Sequence, residues 1–177
     1  MKIVISGGPG TGKSTMINEL SRKGYNVFKE TSREIIKHYK KLGHEQLFLS
    51  NPIKFSEILL QNRINQFEDK IISNSEQYFF DRGIPDVLAY LDYKNLVYED
   101  YFTVCANKYK YDMVFIAEPW KEIYKKDKQR YESFNELVRI STHIKKTYKN
   151  LGYKFFIIPN VSVTERIDYI LNKIKWI

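Results

Sequence analysis

Cysteine is almost missing from this 177-residue chain: Cys105 stands alone, which excludes an intrachain disulfide and a thiolate zinc cluster. It reads as a small buried apolar residue. Histidine is nearly as scarce, and His38, His44 and His143 are scattered without metal-ligand spacing. No apolar run approaches the roughly 20 residues that cross a bilayer. Met1-Lys2 leads into a strand-like run without a signal-peptide pattern, so a cytoplasmic protein with no membrane span is expected. Internal repeats, low-complexity tracts and linkers rich in Pro, Gly or Ser are also missing. The length then predicts one domain over residues 1–177, built on one sizeable core.

Against these absences stand 43% hydrophobic residues, 14 Tyr and 11 Phe, a globular composition despite 28% charged residues. A formal net charge of +8 favours an anionic partner, either nucleotide phosphates or nucleic acid. Lysine and arginine are spread through almost every segment, often beside acids, which describes a solvated basic surface rather than a dedicated groove. Aromatics such as Phe79, Phe80, Phe155 and Phe156 fall in strand-like runs, where core packing accounts for them better than base stacking does. Nucleic acid is therefore not the expected partner.

The most specific stretch is Gly7-Gly8-Pro9-Gly10-Thr11-Gly12-Lys13-Ser14-Thr15, which follows Ile3-Val4-Ile5 and fits the phosphate-binding P-loop pattern. At average residue frequencies that pattern arises at roughly four starts in 100,000. Glycines and proline let the backbone wrap a phosphate chain closely, with amide N–H groups turned inward. Gly8 through Thr15 are thus the candidate nucleotide cradle. Lys13 offers a charge to the outer phosphates, and the Ser14 hydroxyl a Mg²⁺ ligand. Met16, Ile17 and Leu20 are spaced for one face of a helix whose N-terminus would meet the anion.

Strand-length apolar runs recur at 2–6, 26–29, 77–80, 113–117 and 155–158, separated by helical stretches, which predicts a parallel sheet covered by helices. Thr31 with Glu34, and Ser162 with Glu165, have capping-box spacing; Asn51-Pro52 reads as an N-cap and first-turn proline. Val163, Ile167, Ile170, Leu171 and Ile174 draw one apolar face on the last helix, and Gly152 marks the stop of the helix from about Asn135.

In an open parallel sheet, ligands lie at the carboxyl ends of the strands. Asp81, after Gln77-Tyr78-Phe79-Phe80, is a candidate second Mg²⁺ group, or else makes a turn pair with Arg82 before Gly83 and Pro85. Glu30, after strand two, is a candidate to orient or deprotonate an acceptor hydroxyl; a solvated loop acid is an equal reading. Arg33 would bind a substrate anion or form a surface ion pair. Glu118 ends strand four, and the segment 119–133, with Lys121, Lys125, Lys126, Lys128 and Arg130, is a candidate basic lid. Its Arg130 is the candidate to neutralise charge during phosphoryl transfer; a solvated basic helix face is the alternative. Base recognition, on topology alone, would involve Pro159-Asn160-Val161 after strand five.

With these residues in place, the chain resembles the P-loop kinase superfamily near the nucleoside, nucleotide and thymidylate kinases. Asp81-Arg82 is similar to the acid-arginine pair after their third strand, and Glu30 matches a substrate-side glutamate. More closely it resembles the small AAA-type ATPase domain grouped with the nicotinamide-riboside kinase part of NadR. That likeness rests on Gly7 to Thr15, Glu30 to Ile36, Phe80 to Tyr90, Ile123-Tyr124 through Asp127 and Arg130, and Val163 to Arg166. It implies an α/β P-loop NTPase fold: a three-layer sandwich whose five-stranded parallel sheet has order 2-3-1-4-5, with helices on both faces and Mg-ATP bound. Two departures stand out. The helical lid domain of AAA+ machines has no room here, and the third-strand motif reads Asp-Arg-Gly.

The leading expectation is therefore a kinase passing the γ-phosphoryl of ATP, with Mg²⁺, to a nucleoside or nucleotide. In it Lys13, Glu30, Asp81 and Arg130 are catalytic, Glu30, Arg33 and Arg82 face the acceptor, and Ser14 and Asp81 face the metal. A Mg-dependent nucleoside triphosphatase or nucleotide-controlled switch is the alternative. Homo-oligomerisation stays open.

Overall fold

The computed structural model describes residues 1–43, 47–69, 76–124 and 132–175. Strands β1 (Lys2–Gly7), β2 (Asn26–Phe28), β3 (Tyr78–Asp81), β4 (Met113–Ala117) and β5 (Phe155–Ile158) form one sheet of order β2-β3-β1-β4-β5. Every pairing is parallel, with Val4 opposite both Phe80 and Val114, so the expected order and direction are found. Parallel neighbours need crossovers, and helices supply them. These are α1 (Lys13–Arg22), α2 (Ser32–Lys41), α3 (Leu47–Ser50), α4 (Pro52–Glu68), α5 (Pro85–Tyr93), α6 (Asp100–Lys108), α7 (Phe134–Asn150) and α8 (Val163–Ile174).

Side chains alternate across a strand, so β1 divides its apolar residues between two cores. Ile3 and Ile5 pack with Met16, Leu20, Ile167 and Ile170 under α1 and α8. Val4 packs on the other face with Leu60, Leu88, Phe102, Ile140 and Tyr148 from α4, α5, α6 and α7. Each fully buried aliphatic side chain contributes about 1.5–3 kcal/mol, which makes the two layers the main source of stability. A satellite cluster, Ile35, Leu47 and Phe55, joins α2 and α3 to the start of α4. Cys105 is buried on α6, as its isolation suggested.

Helix ends follow the sequence signals with one exception. The Asn51 side chain accepts from Lys54 N at 3.0 Å, and Ser162 with Glu165 forms a full capping box. Ser133 and Glu136 form another at the start of α7. Thr31, however, makes no side-chain cap. The Ser32 N–H at that helix start goes instead to Glu30 Oε1, at 3.2 Å. Expected burial also fails at β5, an edge strand where Phe155 and Phe156 are only half-buried.

Candidate active site

The loop after β1 and the residues that end β2 and β3 meet at the carboxyl end of the sheet. Between β1 and α1 the chain turns through Gly7 and Gly12, at φ 140° and 85°. A Cβ at Gly7 would overlap the Ala117 carbonyl oxygen, so only glycine lets β1 and β4 approach there. Helix α1 starts without a capping side chain or a first-turn acid, which leaves its free N–H groups for an anion.

Lys13 folds back over this loop. Its Nζ donates to Gly8 O at 2.6 Å and to Thr11 Oγ1 at 3.3 Å. Burial, reinforced by the nearby Arg82 charge, lowers its pKa from 10.5 to about 7. Ser14 and Thr15 are exposed on the first turn. Ser14 Oγ donates to Asp81 Oδ2 at 3.1 Å, joining the loop to the end of β3. The other carboxylate oxygen, Asp81 Oδ1, is buried with no hydrogen-bond partner. Burial raises the pKa of Asp81, an effect the neighbouring Lys13 and Arg82 charges oppose.

An orphaned carboxylate oxygen beside a hydroxyl is a donor set that suits Mg²⁺, which takes one or two protein groups and completes its shell from phosphates and water. Among the described residues no group of three or more His, Cys, Asp or Glu is arranged to hold a metal, so an all-protein cage is absent there.

On the opposite side of the loop lies Arg82, at φ 72°, a left-handed backbone that an arginine adopts only at a cost. Four contacts fix it: its N–H donates to Ile5 O at 3.1 Å, Nε to Glu30 Oε2 at 2.7 Å, Nη1 to Gly7 O at 2.9 Å, and Nη1 lies 3.4 Å from Asp86 Oδ1. Glu30, Asp86 and Asp81 together raise its pKa despite burial. Glu30 also lies 3.7 Å from Arg63 Nη2. The two arginines and the Ser32 hydrogen bonds outweigh desolvation and hold its carboxyl down at about 2. Glu30 is neither a loose solvated acid nor free of a structural duty.

Several of these partners were not among the sequence candidates. Asp86 is buried and accepts from Ser6 Oγ (2.7 Å), Gly83 N (2.8 Å) and Tyr148 OH (2.7 Å). Arg63 donates to Gly83 O at 2.6 Å. Both had a readable signal, since each is a charge within an apolar stripe: Arg63 between Leu59 and Phe67, and Asp86 beside Val87, Leu88 and Ala89. Arg166 is a third case and sits on the apolar face of α8.

Other candidates stand apart. Arg33 is exposed on α2. Glu118 pairs with Lys145 of α7. In the basic segment, Tyr124 OH donates to Glu132 O at 2.9 Å, while Lys125, Lys126, Asp127, Lys128 and Arg130 lie outside the described residues. Among those described, no helix is long and apolar enough to cross a membrane.

The sequence matches the family model described as an AAA domain over residues 2–166. The chain belongs to this AAA domain family. No curated protein matches it by sequence. Solved structures similar to this AAA domain include deoxyadenosine kinase from M. mycoides with products dCMP and a flexible dCDP bound. That enzyme is 24% identical with TM-score 0.74, and all of each chain is covered. Thymidylate kinase from Ehrlichia chaffeensis is 13% identical with TM-score 0.66 and 98% of each chain covered. The NadR protein in complex with NR is 14% identical with TM-score 0.72; 98% of this AAA domain aligns with 49% of that longer chain. The fold is therefore that of the P-loop nucleoside and nucleotide kinases.

Proposed function

We propose that this chain is a single-domain kinase that transfers the γ-phosphoryl group of ATP to a hydroxyl or phosphate of a nucleoside or nucleotide. The observation that carries the reading is the link from acceptor side to phosphate loop: Glu30 to Arg82 at 2.7 Å, and Arg82 to Gly7 O at 2.9 Å. A hydrolase needs only to place water, whereas a carboxylate held by Arg82 and Arg63 suits the orienting of a second substrate, which supports the kinase reading.

Lys13, freed from Gly8 O, pairs with the outer phosphates, and their charge keeps it protonated at neutral pH. Ser14 and Asp81 would hold Mg²⁺, which neutralises charge on the β- and γ-phosphates. Glu30, with a pKa of about 2, is a weak base at pH 7, so it accepts a hydrogen bond from the acceptor hydroxyl and orients it. Orientation is what a loose phosphoryl-transfer transition state requires, because the γ-phosphorus parts from the β-γ bridging oxygen before the new O–P bond is complete. The acceptor proton leaves late, passing to the Glu30 carboxylate once the forming O–P bond has made it acidic, and ADP is the leaving group. Arg82 faces the transferring group, where a fixed positive charge stabilises the transition state. Arg130 and Arg33 stay in the proposal as charges for phosphate and acceptor.

The test is ATP consumption measured with a panel of nucleosides and nucleotides at fixed Mg²⁺. Turnover stimulated at least about tenfold over the water reaction by one acceptor is expected. Equal turnover with and without every acceptor would replace the kinase by the triphosphatase or switch.

A further inference from the structure

We propose that Arg166 is a positioning residue that locks the phosphate loop to the segments where the nucleotide base would lie. The proposal rests on the reading of Gly7 to Ser14 as a nucleotide cradle.

Among the described residues Arg166 is one of the largest fully buried side chains, 2% exposed. Three of its five N–H groups are engaged, each on a different residue. Nη1 donates to Thr11 O of the phosphate loop at 2.9 Å, Nε to Pro159 O at 3.0 Å and Nη2 to Asn160 Oδ1 at 3.2 Å. The guanidinium carbon lies 5.1 Å from the centre of the Trp120 ring, which follows β4. One planar fork thus joins the loop after β1, the approach to the basic segment after β4 and the loop after β5. These are neighbouring loops at the carboxyl edge of β1, β4 and β5, where an open parallel sheet takes its ligand.

Local structure holds the fork in place. The Ser162 and Glu165 capping box sets the first turn of α8, and Arg166 N donates to Ser162 O at 3.0 Å. Gly12 leaves room on the other side: a Cβ there would sit 3.0 Å from Arg166 Nη1 and 3.5 Å from Ile123 Cδ1. Among the described residues no carboxylate pairs with this guanidinium, and burial lowers its pKa. Among the described residues this charge is met only by carbonyl and amide oxygens and a ring, an expensive arrangement for the fold. Surface stability alone gives no reason to keep it, whereas fixing three ligand-facing segments at one spacing does.

Calorimetry with Mg²⁺ and the non-hydrolysable β,γ-imido analogue of ATP, repeated with inorganic tripolyphosphate, reads this directly. Arg166→Lys keeps the charge and loses the fork. It should weaken nucleotide binding about tenfold, the scale of lost hydrogen bonds to a charged group. Tripolyphosphate, with no base to place, should lose less than the nucleotide, and the KM for the acceptor should not move. Asn160 is exposed, so Asn160→Ala should fold and show the same pattern at about two- to threefold. Affinity in Arg166→Lys within twofold of the parent, or equal losses for nucleotide and tripolyphosphate, would overturn the proposal. Should Arg166→Lys not fold, Asn160→Ala decides alone, and unchanged nucleotide affinity there overturns it. Absence of nucleotide binding by the parent protein would refute the cradle itself, a separate result.

Discussion

Two arginines grip the same loop from opposite sides, Arg82 half-buried and Arg166 buried, and their surroundings differ in kind. Arg82 bonds Gly7 O and Arg166 bonds Thr11 O, each at 2.9 Å. Around Arg82 stand Glu30, Asp86 and Asp81, and its pKa is raised; Arg166 has carbonyl oxygens and an aromatic face, and its pKa is lowered. On the first side the protein has prepared an electrostatic environment in which carboxylates and a cation set where charge can develop. On the second, the buried charge meets no carboxylate among the described residues, and the role proposed for it is geometric. Substitutions on the Arg82 side should therefore act on turnover, and those on the Arg166 side on nucleotide affinity.

The largest effect is expected where the two sides meet. Lys13→Ala removes the cation between them, and titration calorimetry should show MgATP affinity reduced by about 100-fold or more. Folding should survive, because Lys13 is the donor in both of its contacts and Thr11 Oγ1 still bonds Gly8 O at 3.0 Å. Undiminished affinity would dissolve the comparison, since neither arginine would then flank a phosphate site.

Next in size is Glu30→Gln, which keeps the shape of the side chain and removes its charge. Acceptor-dependent kcat should fall by about 100-fold, the scale of a misplaced reactant, with KM for ATP within about twofold. A large rise in that KM, with kcat kept, would move Glu30 to the nucleotide side. Asp81→Asn should act on neither arginine first. Steady-state titration should show the Mg²⁺ requirement raised about tenfold, as for groups that orient metal ligands; an unchanged requirement would reduce Asp81 to the end of a strand.

The contrast between the two arginines also marks what was legible beforehand. Arg82 was visible because it follows a strand and neighbours Asp81, and parallel topology sends every strand end to the same edge. The strand runs and the Ser162 cap were readable because they depend on local pattern, whereas the sheet order followed only from the resemblance. Arg166 enters the sequence reading only through a stretch of family likeness, although a charge four residues before Ile170 on an apolar face is a local anomaly. Its partner Thr11 lies 155 residues away in sequence, and no pattern pairs the two. Thr31 failed as a cap for a related reason: Glu30, held by Arg82 from 52 residues away, reaches the Ser32 N–H, a competition invisible to spacing. Asp86 and Tyr148, 62 residues apart, meet only because α5 and α7 pack on one face.

A smaller effect than those of these substitutions uses pH to probe the loop between the arginines. In the free protein Lys13 has a pKa of about 7, against an ordinary 10.5, because burial and Arg82 disfavour its charge. Phosphate binds the protonated form, so affinity is full below pH 7 and declines as the proton is lost above it. From pH 7 to pH 8 the protonated fraction drops about fivefold, and the Kd for MgATP should rise by that factor, with a proton taken up on binding. Stability of the ligand-free protein runs the other way. Between about pH 7 and 10.5 the unfolded chain keeps a proton on this lysine that the folded chain has released, so this group makes stability rise with pH across the window in which it makes affinity fall. Arg82 contributes to the depressed pKa and Arg166 is not among its causes. Arg82→Gln should therefore move the onset of the affinity loss to higher pH, while Asn160→Ala should leave it in place. A shift of equal size in both variants would mean that the two sides of the loop are not electrostatically distinct.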